Sequence, residues 1–278
     1  MANPNNWKNG IILEPFEVEA SGLTVHGTLE RPLDERGLPV ILAPGWSEGQ
    51  MALASLRHVF ATMGRPAITL EPPRDFGGHL FDAGNQRARN IHAVIKRLRQ
   101  EYGYDLFDIV AHSMGGIDTV GAAKVDGDKM NHVVLAGSAG LIEGDTPLAI
   151  LARLTGSIAR EESHHLLSIS ELKMAAHGLW NVSSNLVRSV SEGLHASTTD
   201  IRGEITALGE NGLAVTRMQF ASDGVFPLDR VEESMAGHNH HNKHIFHLPH
   251  AGHNATAHHP QEVAESVLRI TGSESVAA

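Results

Sequence analysis

Short strand-like and helix-like stretches alternate along most of this chain. The run Val40–Ala43 contains only apolar residues, which is typical of a strand buried on both faces of a parallel sheet. The stretch 85–103 instead places its apolar residues at helical spacing, with Arg and Lys on the opposite face. Repeated strand–helix units favour a doubly wound, mostly parallel α/β sheet. We expect about eight strands, at residues 16–20, 23–30, 40–43, 65–73, 106–112, 131–140, 213–222 and 243–252.

The alternation stops between residues 143 and 205. This block shows helical periodicity and no convincing strand, and strand–helix units resume after it. A helical block inserted between two parts of one sheet is typical of a lid, so the sequence predicts a helical cap over residues 143–205. The flanking parts, residues 1–142 and 206–278, are then one α/β core.

Composition narrows the possible partners and compartments. Acidic residues outnumber basic ones by 32 to 22, a net charge of −10, which disfavours binding to nucleic acids and to anionic membranes. The absence of cysteine excludes disulfides, thiolate nucleophiles and cysteine-based zinc sites. The N-terminus does not resemble a signal peptide, and no apolar run approaches the roughly 20 residues of a membrane helix. A soluble, cytoplasmic protein without a membrane span is expected.

A serine flanked by small residues is the sharpest chemical signal. Residues 111–116 read Ala-His-Ser-Met-Gly-Gly and lie between a predicted strand and a predicted helix. A very tight strand-to-helix turn exposes its central side chain and needs small neighbours two positions away on either side. Ser113 is therefore the candidate nucleophile, next to a helix N-terminus that favours developing negative charge. The alternative is a glycine-containing turn with an incidental serine.

This turn resembles the nucleophile elbow of the α/β-hydrolase superfamily. The order of elements is also similar to that family from about residue 16 to residue 271, although Ala111 stands where the first glycine is usual. The resemblance implies a serine esterase-like or lipase-like member with a helical cap. It also implies a catalytic triad whose members follow in the order serine, acid, histidine.

The loop after the first buried strand, residues 43–49, matches the family's oxyanion loop. The resemblance implies that the backbone N–H groups of Trp46 and Met114 form the oxyanion hole. Pro44 stands where histidine is common in relatives, so the support of this loop must differ. The alternative is a simple turn whose tryptophan covers the core.

An aspartate and a histidine complete the implied triad. Asp223 follows the strand at 213–222, where relatives carry their acid; the alternatives are an ordinary Asp-Gly turn, or Asp229 as the acid. His253 lies in Ala-Gly-His after the last predicted strand and is the candidate base. The competing histidines near it are His250, His258 and His259.

Two other patterns carry weaker predictions. The stretch 238–244 contains four of the chain's 19 histidines and could bind a divalent metal, but a polar surface loop is favoured, and no metal site is predicted. Gly77 and Gly78 are not followed by the Lys-Ser/Thr pair of a phosphate-binding loop, so nucleotide binding has no support.

These features predict an enzyme that cleaves an ester-like bond of a small or lipid-like substrate. Ser113, His253 and Asp223 would act through an acyl-enzyme, without cofactor or metal. The alternative is a catalytically silent protein of the same fold that binds a small molecule or a partner; a histidine-rich metal-binding protein is the weakest idea. Apolar residues of the predicted cap should form the walls of a substrate pocket, with Trp180 as the candidate substrate contact: Leu148, Leu151, Leu154, Leu179 and Trp180.

Overall fold

A mixed sheet organises the molecule. The computed structural model describes residues 7–8, 10–46, 48–71, 83–164, 183, 186–238 and 245–272. Among these residues nine strands form one sheet, in the order β1-β2-β3-β5-β4-β6-β7-β8-β9. The strands are β1 (Trp7–Lys8), β2 (Ile11–Ala20), β3 (Leu23–Pro32), β4 (Val40–Ala43), β5 (Ala67–Glu71), β6 (Phe107–His112), β7 (Met130–Ala136), β8 (Ala214–Phe220) and β9 (Ile245–Leu248).

The sheet is antiparallel at one side and parallel through the rest. Strands β1, β2, β3 and β5 pair antiparallel, and β5, β4, β6, β7, β8 and β9 pair parallel. Ser21 and Gly22 both have positive φ in the two-residue turn between β2 and β3, as a tight hairpin requires. The predicted doubly wound, mostly parallel sheet is confirmed, with the two-residue strand β1 as an addition.

Helices cover both faces of the sheet. Apolar residues of α2, α3 and α6 join one buried cluster, and those of α1 and α9 join the other. In the described part of the chain, no helix has the length and apolar character needed to span a membrane. The helices are α1 (Ala54–Thr62), α2 (Ala83–Tyr102), α3 (Gly115–Asp126), α4 (Pro147–His164), α5 (Leu186–Thr198), α6 (Arg202–Glu210), α7 (Leu228–Met235), α8 (Ala255–His258) and α9 (Pro260–Thr271), with a 3-10 turn at Gly127–Lys129.

The secondary-structure elements described between β7 and β8 are all helices. Helix α5 packs against α2 and α4, whereas α6 packs against α3 and β8. Ile205 and Leu208 of α6 are buried in the same cluster as the sheet. The expected cap boundary at residue 205 therefore falls inside a helix that packs on the core.

Candidate active site

Ser113 occupies a strained turn between β6 and α3. Its φ is 53°, in the left-handed region that non-glycine residues rarely adopt. A Cβ at Gly115 would lie 2.4 Å from the carbonyl oxygen of Ala43, and a Cβ at Gly116 would lie 1.9 Å from Ser138 Oγ. The two glycines are thus required by the close approach of β4 and of the loop after β7, and this approach holds the turn in place.

The structure brings Ser113, His253 and Asp223 together. His253 Nε2 lies 3.3 Å from Ser113 Oγ, and His253 Nδ1 lies 2.9 Å from Asp223 Oδ2. Asp223 follows β8 and His253 follows β9, and these neighbouring strands run parallel, so both loops leave the same edge of the sheet. Asp223 and His253 are each only 4% exposed.

The surroundings of Asp223 fix the tautomer of His253. Asp223 Oδ1 accepts hydrogen bonds from the backbone N–H groups of Val225 (2.7 Å) and Phe226 (2.9 Å). These bonds orient the carboxylate so that Oδ2 faces the imidazole. A carboxylate only accepts, so His253 Nδ1 must carry the proton. In the neutral ring, Nε2 then presents its lone pair to the hydroxyl of Ser113.

The competing residues lie elsewhere. Asp229 is exposed in the first turn of α7. His250 is exposed in the loop after β9, His258 ends α8, and His259 lies 3.5 Å from Glu262 through its Nδ1. Among the residues that the structure describes, His253 is the histidine that contacts Ser113.

One predicted oxyanion donor, Met114, follows Ser113 in the chain, and the loop that carries the other, Trp46, comes close to Ser113 at Gly45. Gly45 N–H already donates to Glu48 Oε2, whereas in the described part of the structure neither Trp46 N–H nor Met114 N–H has an acceptor. The Trp46 side chain packs partly against the core, and its Nε1 donates to the carbonyl oxygen of Ser189 in α5 at 2.9 Å. The side chain therefore does cover the core, as the alternative supposed, and the backbone N–H remains available.

Arg87 is a buried residue of the site that sequence reasoning missed. From α2 it donates to Asp118 Oδ2 of α3 at 2.6 Å, to Glu192 Oε1 of α5 at 3.4 Å, and to the carbonyl oxygen of Pro44. Burial raises the pKa of Asp118 to about 6, although the charge of Arg87 opposes this shift. The signal in the sequence was the position of Arg87, one turn before Ile91 on the apolar face of the helix.

Glu48 and His112 form a second unpredicted pair. His112 is the last residue of β6, and its Nδ1 lies 2.9 Å from each carboxylate oxygen of Glu48. Burial disfavours the charged form of both side chains. Their mutual attraction and hydrogen bond outweigh it, raising the pKa of His112 and lowering the pKa of Glu48. The ring of His112 lies next to that of the proposed base, His253, with 4.9 Å between the ring centroids.

Helices α4 and α5, which belong to the predicted cap, contact the loops of the site. Ile150 and Leu154 of α4 pack against the core, and Ser157 Oγ would lie 3.2 Å from a Cβ at Gly224, beside Asp223. Leu148 was expected in the pocket wall, but this is wrong, because its side chain is 76% exposed. It precedes Ile150 by two positions, about 200° around the helix axis, and so faces outward. The side chain of Leu151, and all of Leu179 and Trp180, lie outside the described residues.

The described residues provide no support for a metal or nucleotide site. Within the described ranges, no three His, Cys, Asp or Glu side chains are placed to hold a metal ion. Residues 239–244 of the histidine-rich stretch, and Gly77 and Gly78, lie outside those ranges.

Comparisons with known proteins identify the fold. No family model matches this chain, and no curated protein does. Among solved structures, it is similar to an esterase from Exiguobacterium antarcticum (TM-score 0.71, 14% identity, covering 93% of this chain and 100% of that one). It is also similar to a serine hydrolase involved in carbazole degradation (TM-score 0.72, 17% identity, 94% and 99%) and to a bromoperoxidase from Bacillus anthracis (TM-score 0.64, 16% identity, 93% and 100%). The chain has the α/β-hydrolase fold.

Proposed function

We propose that this protein is a serine hydrolase that cleaves an ester-like bond of a small or lipid-like substrate. The observation that carries this proposal is the continuous hydrogen-bonded series from Asp223 through His253 to Ser113. Because fold alone does not select a reaction, the proposal rests on this constellation and not on the names of the structural neighbours.

The reaction follows from the positions of the proton donors and acceptors. Ser113 Oγ attacks the ester carbonyl carbon while its proton passes to His253 Nε2, and Asp223 stabilises the resulting imidazolium. The oxyanion of the tetrahedral intermediate accepts hydrogen bonds from the backbone N–H groups of Trp46 and Met114. His253 then gives its proton to the departing alcohol oxygen, leaving an acyl-Ser113. Water hydrolyses this ester by the same proton transfers, releasing the acid and restoring Ser113.

A fluorophosphonate probe tests the nucleophile directly. We expect the folded protein to form one covalent adduct, located on Ser113 by peptide mass spectrometry, and Ser113→Ala to form none. The neighbouring Ser138 provides a matched control, since it is a buried serine whose Oγ donates to the backbone carbonyl oxygens of Ala139 and Ser113. Ser138→Ala should still label at Ser113. A folded protein that takes up no probe would be the silent binding protein, and the proposed function would be abandoned.

A series of p-nitrophenyl esters with increasing acyl length tests the bond and the substrate class. We expect turnover of at least one ester, abolished in Ser113→Ala. The chain-length optimum distinguishes small from lipid-like substrates. Removing one methylene contact from an apolar pocket changes discrimination by only about 1–3 kcal/mol, so a graded optimum is expected. Labelling by the probe without turnover of any ester would retain the nucleophile and reject ester hydrolysis.

A further inference from the structure

His112 connects the element before the nucleophile to the loop of the proposed base. Its ring is 1% exposed, and its Nε2 lies 2.8 Å from the backbone carbonyl oxygen of His253. Its ring centroid lies 4.9 Å from that of His253. The position of the His253 backbone is therefore set in part by a side chain adjacent to Ser113.

Both partners of His112 are acceptors. A backbone carbonyl oxygen cannot donate, and an ionised Glu48 carboxylate cannot donate either. Each ring nitrogen of His112 must then carry a proton, which makes the ring an imidazolium. A neutral ring would turn a nitrogen lone pair toward an acceptor and leave a buried hydrogen bond unmade, which is unfavourable.

Glu48 has a second task at the oxyanion loop. Its Oε2 accepts the backbone N–H of Gly45, the residue before Trp46. A side chain at Gly45 would not fit, because its Cβ would lie 2.9 Å from both Glu48 Oε2 and Ser113 Cβ. The carboxylate thus binds the N–H of Gly45 within this tight loop, and among the described residues the next N–H, that of Trp46, has no acceptor.

We propose that Glu48 and His112 are positioning residues, a largely buried ion pair that aligns the oxyanion loop and the backbone of His253 with Ser113. The inference rests on the proposed function for its kinetic consequences. Neither side chain is a catalytic residue, since the proposed reaction routes no proton through them. Their effect is to hold the donors of the oxyanion hole and the proton acceptor in reacting geometry.

Glu48→Ala removes the acceptor of both hydrogen bonds. Misplacement of reacting groups by about 1 Å can cost on the order of 100-fold in rate, so we expect kcat for a p-nitrophenyl ester to fall by about 100-fold. KM should change by less than about threefold, since the proposed role of the pair is to align the reacting groups and not to bind substrate. The rate of fluorophosphonate labelling should fall by the same factor as kcat.

Two further variants separate positioning from a general structural effect. Glu71 is the matched control, because it is a glutamate that likewise accepts a backbone N–H, that of Gln50, at 2.8 Å. Glu71→Ala should leave kcat within about threefold of the original. Glu48→Gln should recover activity to within about tenfold, because its amide oxygen can accept from Gly45 while its NH₂ group donates to a neutral His112.

A measurement on the unmodified protein keeps the inference testable if Glu48→Ala does not fold. In ¹⁵N-histidine-labelled protein at about pH 8, where an unperturbed histidine is neutral, both ring nitrogens of His112 should appear as protonated in long-range ¹H–¹⁵N correlation spectra. This spectrum does not depend on enzymatic activity. If the protein shows the imidazolium but has no hydrolase activity, the proposed function is rejected and the ion pair is retained.

Each contrary result is decisive. A neutral His112 ring at that pH would overturn the ion pair. An active Glu48→Ala, equal losses of kcat in Glu48→Ala and Glu71→Ala, or no recovery in Glu48→Gln would overturn the positioning role.

Discussion

The backbone of Ser113 stores strain at the residue that the proposed chemistry needs. A serine in the left-handed region costs on the order of 1–3 kcal/mol, and such residues cluster at functional sites. Here the neighbouring backbone of β4 maintains the conformation, because it packs against Gly115.

This strain predicts a difference between two inactive variants. Glycine adopts positive φ without steric cost, whereas alanine keeps the strain of serine. We therefore expect Ser113→Gly to be more stable than Ser113→Ala by about 1 kcal/mol, or about 2–4 °C in Tm. Calorimetry of the two proteins in one buffer measures the difference, and an equal or lower Tm for the glycine variant would refute the argument.

The hydrogen bonds of Asp223 predict the effect of an amide in its place. In Asp223→Asn the amide oxygen would accept the N–H groups of Val225 and Phe226, so its NH₂ group would face His253. That NH₂ favours the tautomer with the proton on Nε2, which cannot accept the proton of Ser113. We expect kcat to fall by about 10⁴-fold, the loss known for this change in a triad.

The control for this change is Asp229→Asn, because Asp229 is exposed in the first turn of α7. It should retain kcat within about threefold. A larger loss for Asp229→Asn than for Asp223→Asn in steady-state kinetics would show that Asp223 is not the acid.

Residues with a local motif could be predicted from the sequence, and residues defined by distant contacts could not. Ser113, Asp223 and His253 each lie in a short pattern directly after a predicted strand, and in the structure the three side chains lie within hydrogen-bonding distance of one another. His112 and Glu48 lie 64 positions apart, and neither residue type is unusual in its own segment. Only the parallel pairing of β4 with β6 brings them together.

At the scale of elements, one arginine holds three helices and a loop in a fixed relation. Arg87 of α2 binds Asp118 of α3, Glu192 of α5 and the carbonyl oxygen of Pro44. Asp118 is 2% exposed, so ionising it in the folded state is costly even beside Arg87.

The raised pKa of Asp118 predicts how stability changes with pH. Its pKa is raised from 3.8 to about 6, so between these values the folded protein binds more protons than the unfolded chain. The contribution of Asp118 to the free energy of unfolding is therefore greatest at about pH 4 and declines as the pH rises through about 6. At about 1.4 kcal/mol per pKa unit, the full decline is about 3 kcal/mol.

Asp118→Asn removes this titration. The stability of the original protein relative to Asp118→Asn should fall by about 3 kcal/mol between about pH 4 and pH 7, as measured by urea unfolding. The same substitution at Asp105, whose side chain is 91% exposed, provides the control, since folding hardly changes its surroundings. A difference that stays constant with pH would contradict the assignment.

The boundaries of elements depended more on tertiary packing than on local pattern. Helix α1 covers Ala54–Thr62, and the chain turns at Gly64, which has positive φ. The predicted cap boundary at residue 205 fell inside α6. Helical periodicity looks the same whether the helix packs on a cap or on the sheet, so the sequence could not separate α6 from α5.

At the scale of the whole molecule, parallel pairing explains why the site is where it is. Strands β4, β6, β8 and β9 all direct their carboxyl ends to one edge of the sheet, and β4 and β6 are adjacent although an α/β unit separates them in the chain. The loops that follow these strands supply Trp46, Ser113, Asp223 and His253. The sequence predicted the fold class, a doubly wound parallel sheet, but not the order of the strands within that sheet.

The sequence separation of the site has a consequence for the biogenesis of the protein. Ser113 Oγ and His253 Nε2 meet across 140 residues, and His253 follows the last strand of the sheet. Synthesis proceeds from the N-terminus, so the segment that bears Ser113 leaves the ribosome well before the segment that bears His253. A nascent or truncated chain carries the serine without its proton acceptor. Ser113 therefore becomes a nucleophile only after His253 has reached its place in the fold. A reactive Ser113 is the mark of a fully folded chain.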